Sequence, residues 1–144
     1  MSWTLRADGR LRSGEPVDVA AGKLLGEGVS AILFNCSEPE AIVSALECLQ
    51  AAGDLTAALR SARVGLGAYA NRLTPVPDDF AIATSAAPQA MRDDMDPDRY
   101  VEFARQWAAL GAELIGGCCG IGPEHIDALR RRFVNTAASP PGPA

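Results

Sequence analysis

Short apolar runs alternate along the chain with stretches in which apolar residues recur at helical spacing. The clearest run, Ser30–Asn35, contains the letters AILF and predicts a buried strand. Runs at residues 2–6, 63–69 and 112–116 predict three further strands. A stretch with helical character follows each of them, so the pattern predicts four strand–helix units.

Capping residues mark the predicted helices in the first half of the chain. Residues 17–27 predict a helix after the first strand. Ser37 followed by Glu40 three positions later is typical of a capping box, in which each side chain accepts a backbone hydrogen bond at the helix start. Gly53 fits a helix stop. The sequence therefore predicts a helix between Ser37 and Gly53.

Two more helices are predicted in the second half. Asp96 followed by Pro97 is typical of an N-cap and a first helical position, and Gly122 followed by Pro123 opens the last helix. The residues expected to face inward are Tyr100, Phe103, Ala104, Trp107 and Leu110 in the first of these helices and Ile126, Leu129 and Phe133 in the second.

Two segments lack this periodicity. Residues 71–95 predict a long loop, in which Phe80–Thr84 has the composition of a short extra strand. A loop of this length inside a compact domain is usually functional or mobile. The proline-rich residues 135–144 predict a disordered tail, which leaves residues 1–134 as one domain.

Repeated strand–helix units predict an α/β fold with parallel strands, because each crossover helix returns the chain to the same end of the sheet. Four units fit either a small open sheet or half of an eight-stranded barrel. The periodicity alone does not separate these two architectures.

Composition narrows the classes of partner. The 144 residues include 13 Lys and Arg against 18 Asp and Glu, and the net charge of −5 argues against a nucleic-acid partner, which needs a basic face. No apolar run approaches the roughly 18–20 residues of a membrane span, and the N-terminus lacks the apolar core of a signal peptide. We therefore expect a cytoplasmic protein with no membrane partner.

Three of the four cysteines follow predicted strands. Cys36 comes directly after the second strand, and Cys118 and Cys119 lie after the fourth in the run Gly-Gly-Cys-Cys-Gly. The carboxyl ends of parallel strands are where α/β folds place their sites, and the glycines allow both adjacent thiols to face one centre. Three thiolates suit Zn²⁺ and leave a fourth position open, which is typical of a catalytic zinc.

Other interpretations of these residues stay open. The three cysteines could be unconnected buried apolar residues, and a redox role for Cys118 and Cys119 is less favoured because adjacent cysteines exchange poorly compared with Cys-x-x-Cys. Cys48 lies within a predicted helix and is expected in the core. His125, the only histidine, fits a metal ligand, an acid/base group, or a residue that only caps and packs.

Four motifs stand out within roughly residues 2–133: Gly9–Gly14, Asn35–Glu40, Val64–Asn71, and Tyr100–Leu129 with Gly116-Gly117-Cys118-Cys119-Gly120. Through them the chain resembles the homocysteine S-methyltransferase family. In that family's order they resemble the turn after the fifth strand, one zinc-cysteine motif, the strand ending in Tyr-Pro-Asn, and the C-terminal signature. Two departures from the family pattern, Ala70 in place of a proline and Arg72-Leu73 in place of small residues, bear on the substrate pocket.

This resemblance implies the second half of a (β/α)₈ TIM barrel, about four strands, incomplete as a single chain. It implies Zn²⁺ bound by Cys36, Cys118 and Cys119. It further implies that the Gly116-Gly117 backbone lets substrate approach and that Asn71 occupies the metal or the pocket when substrate is absent; alternatively, Asn71 simply terminates a strand.

The implied reaction is methyl transfer from S-methylmethionine, betaine or a similar donor to homocysteine, giving methionine. The implied partner is a second copy or a separate N-terminal half that completes eight strands. The alternatives are a truncated product of low stability, a smaller closed sheet that keeps zinc without catalysis, and a non-catalytic zinc-binding or assembly module.

Overall fold

One parallel sheet organises residues 1–75 and 89–134, the part of the chain that the computed structural model describes. Neighbouring strands pair in parallel in the order β1-β2-β3-β4, which confirms the predicted α/β fold. The predicted strand Phe80–Thr84 and the predicted tail 135–144 lie outside the described residues. The strands are β1 (Ser2–Trp3), β2 (Ala31–Asn35), β3 (Gly65–Tyr69) and β4 (Leu114–Ile115), each shorter than its predicted run.

Five helices connect or follow these strands in the described residues. The first ends at residue 22, not at 27, and a helix that the sequence did not predict begins at Gly53, the expected stop. The chain bends by 91° between this helix and the one before it. The helices are α1 (Val17–Gly22), α2 (Pro39–Ala51), α3 (Gly53–Ser61), α4 (Pro97–Ala109) and α5 (Pro123–Phe133).

The two faces of the sheet have different surroundings. Side chains alternate between faces along a strand, and Ile32, Phe34 and Ala68 are fully buried on one face. These residues share a core cluster with residues of α2 and α4. On the other face Leu33, Gly67 and Leu114 lie in register across three strands, and Leu114 is 44% exposed. Among the described residues, the helices therefore cover one face of the sheet only.

The prediction that Ser37 caps α2 is wrong. The N-cap is Glu38, whose side chain makes no capping hydrogen bond. The buried Ser37 hydroxyl instead accepts a hydrogen bond from the Leu5 amide at 2.8 Å and donates one to the Asn35 carbonyl at 2.9 Å. A buried amide needs a partner, and this requirement outweighs the local capping pattern. Ser37 thus joins the segment after β1 to the end of β2.

The N-cap predicted for α4 is confirmed, because the Asp96 carboxylate accepts a hydrogen bond from the Arg99 amide. The expected inward stripe of α4 is buried except for Leu110, which is partly buried. In α5 the expectation for Ile126 is wrong, since it is 44% exposed, and Phe133 is only partly buried. The buried residues of α5 are His125, Ala128 and Leu129.

The membrane test gives a limited result. In residues 1–75 and 89–134, no individual helix combines the length and apolar composition of a membrane span. Within these same residues, α2 and α3 taken together, across their 91° bend, reach that length and composition.

Candidate metal centre

The hydrogen-bond pattern of the sheet continues past the strand ends and positions two cysteines. The Cys36 amide donates to the Tyr69 carbonyl at 2.9 Å, and the Cys118 amide donates to the Ala70 carbonyl at 2.9 Å. Successive carbonyls of an extended chain point to opposite sides, toward the two neighbouring strands. Cys36 and Cys118 therefore flank the exit of β3 at the carboxyl edge of the sheet.

The structure brings the three predicted ligand residues together. The Cys36 Sγ atom lies 3.5 Å from that of Cys119, and the two sulfurs of Cys118 and Cys119 are 3.8 Å apart. All three sulfurs lie within 4.8 Å of one another. Tetrahedral Zn–S bonds of about 2.3 Å place sulfurs roughly 3.8 Å apart, so this spacing matches a thiolate zinc site. The group could hold a metal ion.

Local backbone conformation produces this convergence. Cys36 adopts a φ of +52°, a left-handed conformation that is uncommon for a residue other than glycine. It therefore turns the chain sharply at the end of β2. Such conformations cluster at functional sites, where the surrounding structure maintains them.

Gly116 and Gly117 are places where side chains of the same chain come too close for a Cβ atom. A Cβ on Gly116 would lie 2.8 Å from Cδ1 of Tyr69, and one on Gly117 would lie 2.7 Å from Cβ of Ile121. Both positions require glycine for the turn that carries Cys118 and Cys119. Their role beside a substrate stays a prediction.

The thiols of Cys36 and Cys118 differ in how readily they ionise. Burial, together with hydrogen bonds to Cys118 and Cys119, raises the pKa of Cys36 to about 12. Burial also opposes ionisation of Cys118, but hydrogen bonds donated by the other two cysteines outweigh it and lower the pKa of Cys118. The cluster thus favours the thiolate of Cys118 over that of Cys36. A divalent cation beside the sulfurs would favour their thiolate forms.

The buried side chain of Tyr100 supports the loop that carries Cys118 and Cys119. The Tyr100 hydroxyl of α4 donates a hydrogen bond to the Gly116 carbonyl at 2.7 Å and lies 3.3 Å from the Ala70 carbonyl. Burial raises the pKa of Tyr100 well above its usual value, so the phenol stays a neutral donor. It fixes the backbone immediately before the two adjacent cysteines.

A cavity of about 230 Å³ opens beside Cys36, and Asn71 lies in its wall. The Asn71 side-chain oxygen accepts a hydrogen bond from the Leu73 backbone amide. The backbone amide of Asn71 donates to the Ser37 carbonyl. The side chain therefore stabilises the turn after β3. Burial, with the negative charge of Glu40 nearby, raises the pKa of Glu38, another residue of the wall.

The remaining candidates lie apart from the thiols. Cys48 is partly buried within α2 and outside the cluster. His125 is fully buried, and its ring packs edge-on against Tyr100. Its Nε2 atom lies 3.1 Å from the Met95 carbonyl oxygen, and its Nδ1 atom accepts a hydrogen bond from the Gly122 amide. Of the interpretations left open for His125, packing and capping describe its contacts.

Sequence reasoning missed Arg92, which lies in the stretch predicted as a loop. Its guanidinium binds both Glu40 and Asp94 next to the cysteine-bearing segments. An arginine next to two aspartates, in a stretch without periodicity, gives no local sign of its distant partner. Only the folded chain shows the pairing with Glu40.

Known proteins share this fold and these motifs. The family model for homocysteine S-methyltransferase matches residues 1–133. The metallated form of the homocysteine methyltransferase MmuM from Escherichia coli is 28% identical, with a TM-score of 0.58, over 92% of this chain and 34% of that one. The oxidized form of the same protein is also 28% identical, with a TM-score of 0.60, over 92% of this chain and 35% of that one. The chain thus spans about a third of these proteins, and its sheet matches part of a homocysteine methyltransferase barrel.

Proposed function

The chain belongs to the homocysteine S-methyltransferase family, and on that premise we propose that it serves zinc-dependent methyl transfer to homocysteine, giving methionine. The convergence of Cys36, Cys118 and Cys119 is the observation that carries the proposal. The spacing of their sulfurs suits a site in which thiolates hold zinc.

In this proposal Cys36, Cys118 and Cys119 would hold Zn²⁺. The bound ion would supply a positive charge that favours the thiolate form of homocysteine at neutral pH. The negative charge of the three protein thiolates keeps that substrate sulfur electron-rich. The substrate thiolate can then attack the methyl carbon of a sulfonium or ammonium donor such as S-methylmethionine or betaine, and the donor leaves as a neutral thioether or amine.

The chain's own residues shape the approach to this centre. The cavity beside Cys36 is the proposed place for organic substrate, with Asn71 holding the turn that forms its wall. Gly116 and Gly117 are proposed to let substrate approach along their backbone. Four free cysteines suit a reducing compartment, and we propose the cytoplasm.

The proposed reaction also needs more of the barrel than this chain provides. The described sheet has open edges at β1 and β4, and its second face carries the exposed Leu114. Unpaired edges and an uncovered apolar face favour association with further strands. We propose that an N-terminal half, or a second copy of the chain, completes eight strands. The open face also favours one alternative, a zinc-binding module that assembles but does not catalyse.

Metal analysis tests the centre first. The purified chain should carry about one zinc per chain, Cys118→Ser should lose it, and Cys48→Ser, the matched control outside the cluster, should keep it. Homocysteine methylation is then measured with S-methylmethionine or betaine, for the chain alone and with a complementing half. Activity in either sample supports the enzyme, and zinc binding without activity in both supports the module. A chain that binds no zinc with intact thiols refutes both.

A further inference from the structure

Arg92 contacts Glu40, four residues after Cys36, and Arg72, whose amide donates to the Cys119 carbonyl. We propose that Arg92 is a positioning residue for the metal centre: it fixes the segment of Cys36 against the segment of Cys119 and so holds the thiols at metal-binding distances. This inference rests on the proposed zinc site.

The side chain of Arg92 reaches the Cys36 segment. Its two terminal nitrogens donate to the two oxygens of Glu40, each at 2.8 Å, in the first turn of α2 four residues after Cys36. The same guanidinium donates to Asp94 at 2.8 and 3.1 Å. The Arg92 side chain is only 16% exposed, whereas its partners Glu40 and Asp94 are 47% and 63% exposed, so the guanidinium is held in place by charge-assisted bonds at the protein surface.

The main chain of Arg92 is linked to the Cys119 segment through Arg72. The Arg92 amide donates to the Arg72 carbonyl at 3.0 Å, and the Arg72 Nε donates back to the Arg92 carbonyl at 2.8 Å. The Arg72 amide in turn donates to the Cys119 carbonyl at 2.8 Å. An antiparallel bridge between Leu73 and Met91 reinforces this pairing. Arg92 and Arg72 together therefore connect Glu40 on one side to the backbone of Cys119 on the other.

This connection matters because the two thiols are distant in sequence. Cys36 and Cys119 are 83 positions apart, yet their sulfurs lie 3.5 Å from each other. Residues that orient metal ligands from the outer shell typically contribute about 10- to 100-fold in metal affinity. Arginine suits the task because its planar fork binds a carboxylate through two bonds, which a lysine cannot do.

The two carboxylates bound to Arg92 allow a matched comparison. Glu40→Gln breaks the link to α2, whereas Asp94→Asn removes a partner only two residues from Arg92 and leaves that link intact. We expect Arg92→Met and Glu40→Gln to weaken zinc affinity about 10-fold or more. The zinc affinity of Arg92→Lys should lie between those of these two variants and that of wild type. Asp94→Asn should reduce zinc affinity much less than Glu40→Gln. Arg131→Met, which removes an exposed ion pair on α5, should not change affinity.

Zinc affinity is measured by competition with a chelating dye, at a temperature at which every variant is folded. Amide hydrogen exchange of the metal-free proteins is followed at Arg72 and residues 118–121, where Arg92→Met should accelerate exchange several-fold. Equal zinc affinities for Glu40→Gln and Asp94→Asn, or an Arg92→Met affinity equal to wild type despite lower stability, would overturn the inference. If wild type binds no zinc, the proposed function fails, and unchanged exchange in Arg92→Met and Glu40→Gln would refute the positioning role separately.

Discussion

The hydroxyl of Tyr100 donates a 2.7 Å hydrogen bond to the carbonyl of Gly116, so the core of α4 directly supports the loop that carries Cys118 and Cys119. Tyr100 is fully buried and packs edge-on against Trp107, whose indole donates to the Pro39 carbonyl at the start of α2. The loops of both cysteine motifs thus rest on one aromatic cluster. Stability of the core and geometry of the site are coupled through it.

Removing that hydroxyl should destabilise the fold. Tyr100→Phe leaves the Gly116 carbonyl without its donor, which should lower the free energy of unfolding by about 1–3 kcal/mol. Urea denaturation of the metal-free protein measures this. Tyr69→Phe is the control, because the Tyr69 ring also packs on Gly116 but its hydroxyl makes no hydrogen bond within the described residues. Equal stability of the two variants would contradict the role of the Tyr100 hydroxyl.

Adding a methyl group at Gly117 should disturb the cysteine turn. An alanine Cβ there would lie 2.7 Å from Cβ of Ile121, and overpacking of this kind costs about 1–3 kcal/mol. We expect Gly117→Ala to lower both the unfolding free energy and the zinc content of the purified chain. Gly53→Ala, where no atom lies within 4 Å of the added Cβ, should do neither. Full zinc occupancy in Gly117→Ala would show that the turn tolerates the methyl group.

The sequence predicted four strands and their parallel pairing because each crossover helix returns the chain to the same end of the sheet. It failed where a distant partner decided the local structure. Ser37 and Glu40 have the spacing of a capping box, yet the Ser37 hydroxyl accepts its hydrogen bond from the distant Leu5 amide. The helix from Gly53 was missed although Asp54 and Arg60 lie at the ends where they favour a helix, because the glycine was interpreted only as a stop.

The candidate site was predictable to a similar degree. Three cysteines at the ends of parallel strands predicted a shared location, since those ends meet at one edge, and the structure brings them together. The supporting contacts were not predictable. Nothing local indicates that Arg92 pairs with Glu40, 52 positions away, or that the hydroxyl of Tyr100 reaches Gly116. Such contacts depend on how helices pack on the sheet.

Glu38 and Glu40 should respond to pH in opposite ways. Burial and the charge of Glu40 raise the pKa of Glu38, so its ionised form costs stability in the folded state. Burial also disfavours ionised Glu40, but the hydrogen bonds from Arg92 outweigh it and lower the pKa of Glu40, so ionised Glu40 stabilises the fold. At pH 7, Glu38→Gln should therefore raise the free energy of unfolding and Glu40→Gln should lower it.

The stability changes caused by Glu38→Gln and Glu40→Gln should both disappear at acidic pH. The gain from Glu38→Gln fades as pH falls through the raised pKa toward the unfolded value near 4.5. The loss from Glu40→Gln is present above that value and disappears as pH falls through the lowered pKa. Denaturation series between pH 3 and pH 7 measure both differences. Shifts of the same sign in the two variants at pH 7 would contradict the assigned environments.

Zinc affinity itself should rise with pH, because the metal must displace protons from the cluster. In the metal-free protein the pKa of Cys36 is about 12, so this thiol is protonated at neutral pH and loses its proton when it becomes a ligand. Each proton released makes the affinity rise about tenfold per pH unit, and we expect at least one between pH 6 and pH 8. Calorimetric titration in two buffers of different ionisation enthalpy counts the protons directly. Cys36→Ser should reduce that number along with the affinity, whereas Cys48→Ser should change neither. An affinity independent of pH would mean that Cys36 binds the metal as a neutral thiol or does not bind it, and the three-thiolate centre would have to be abandoned.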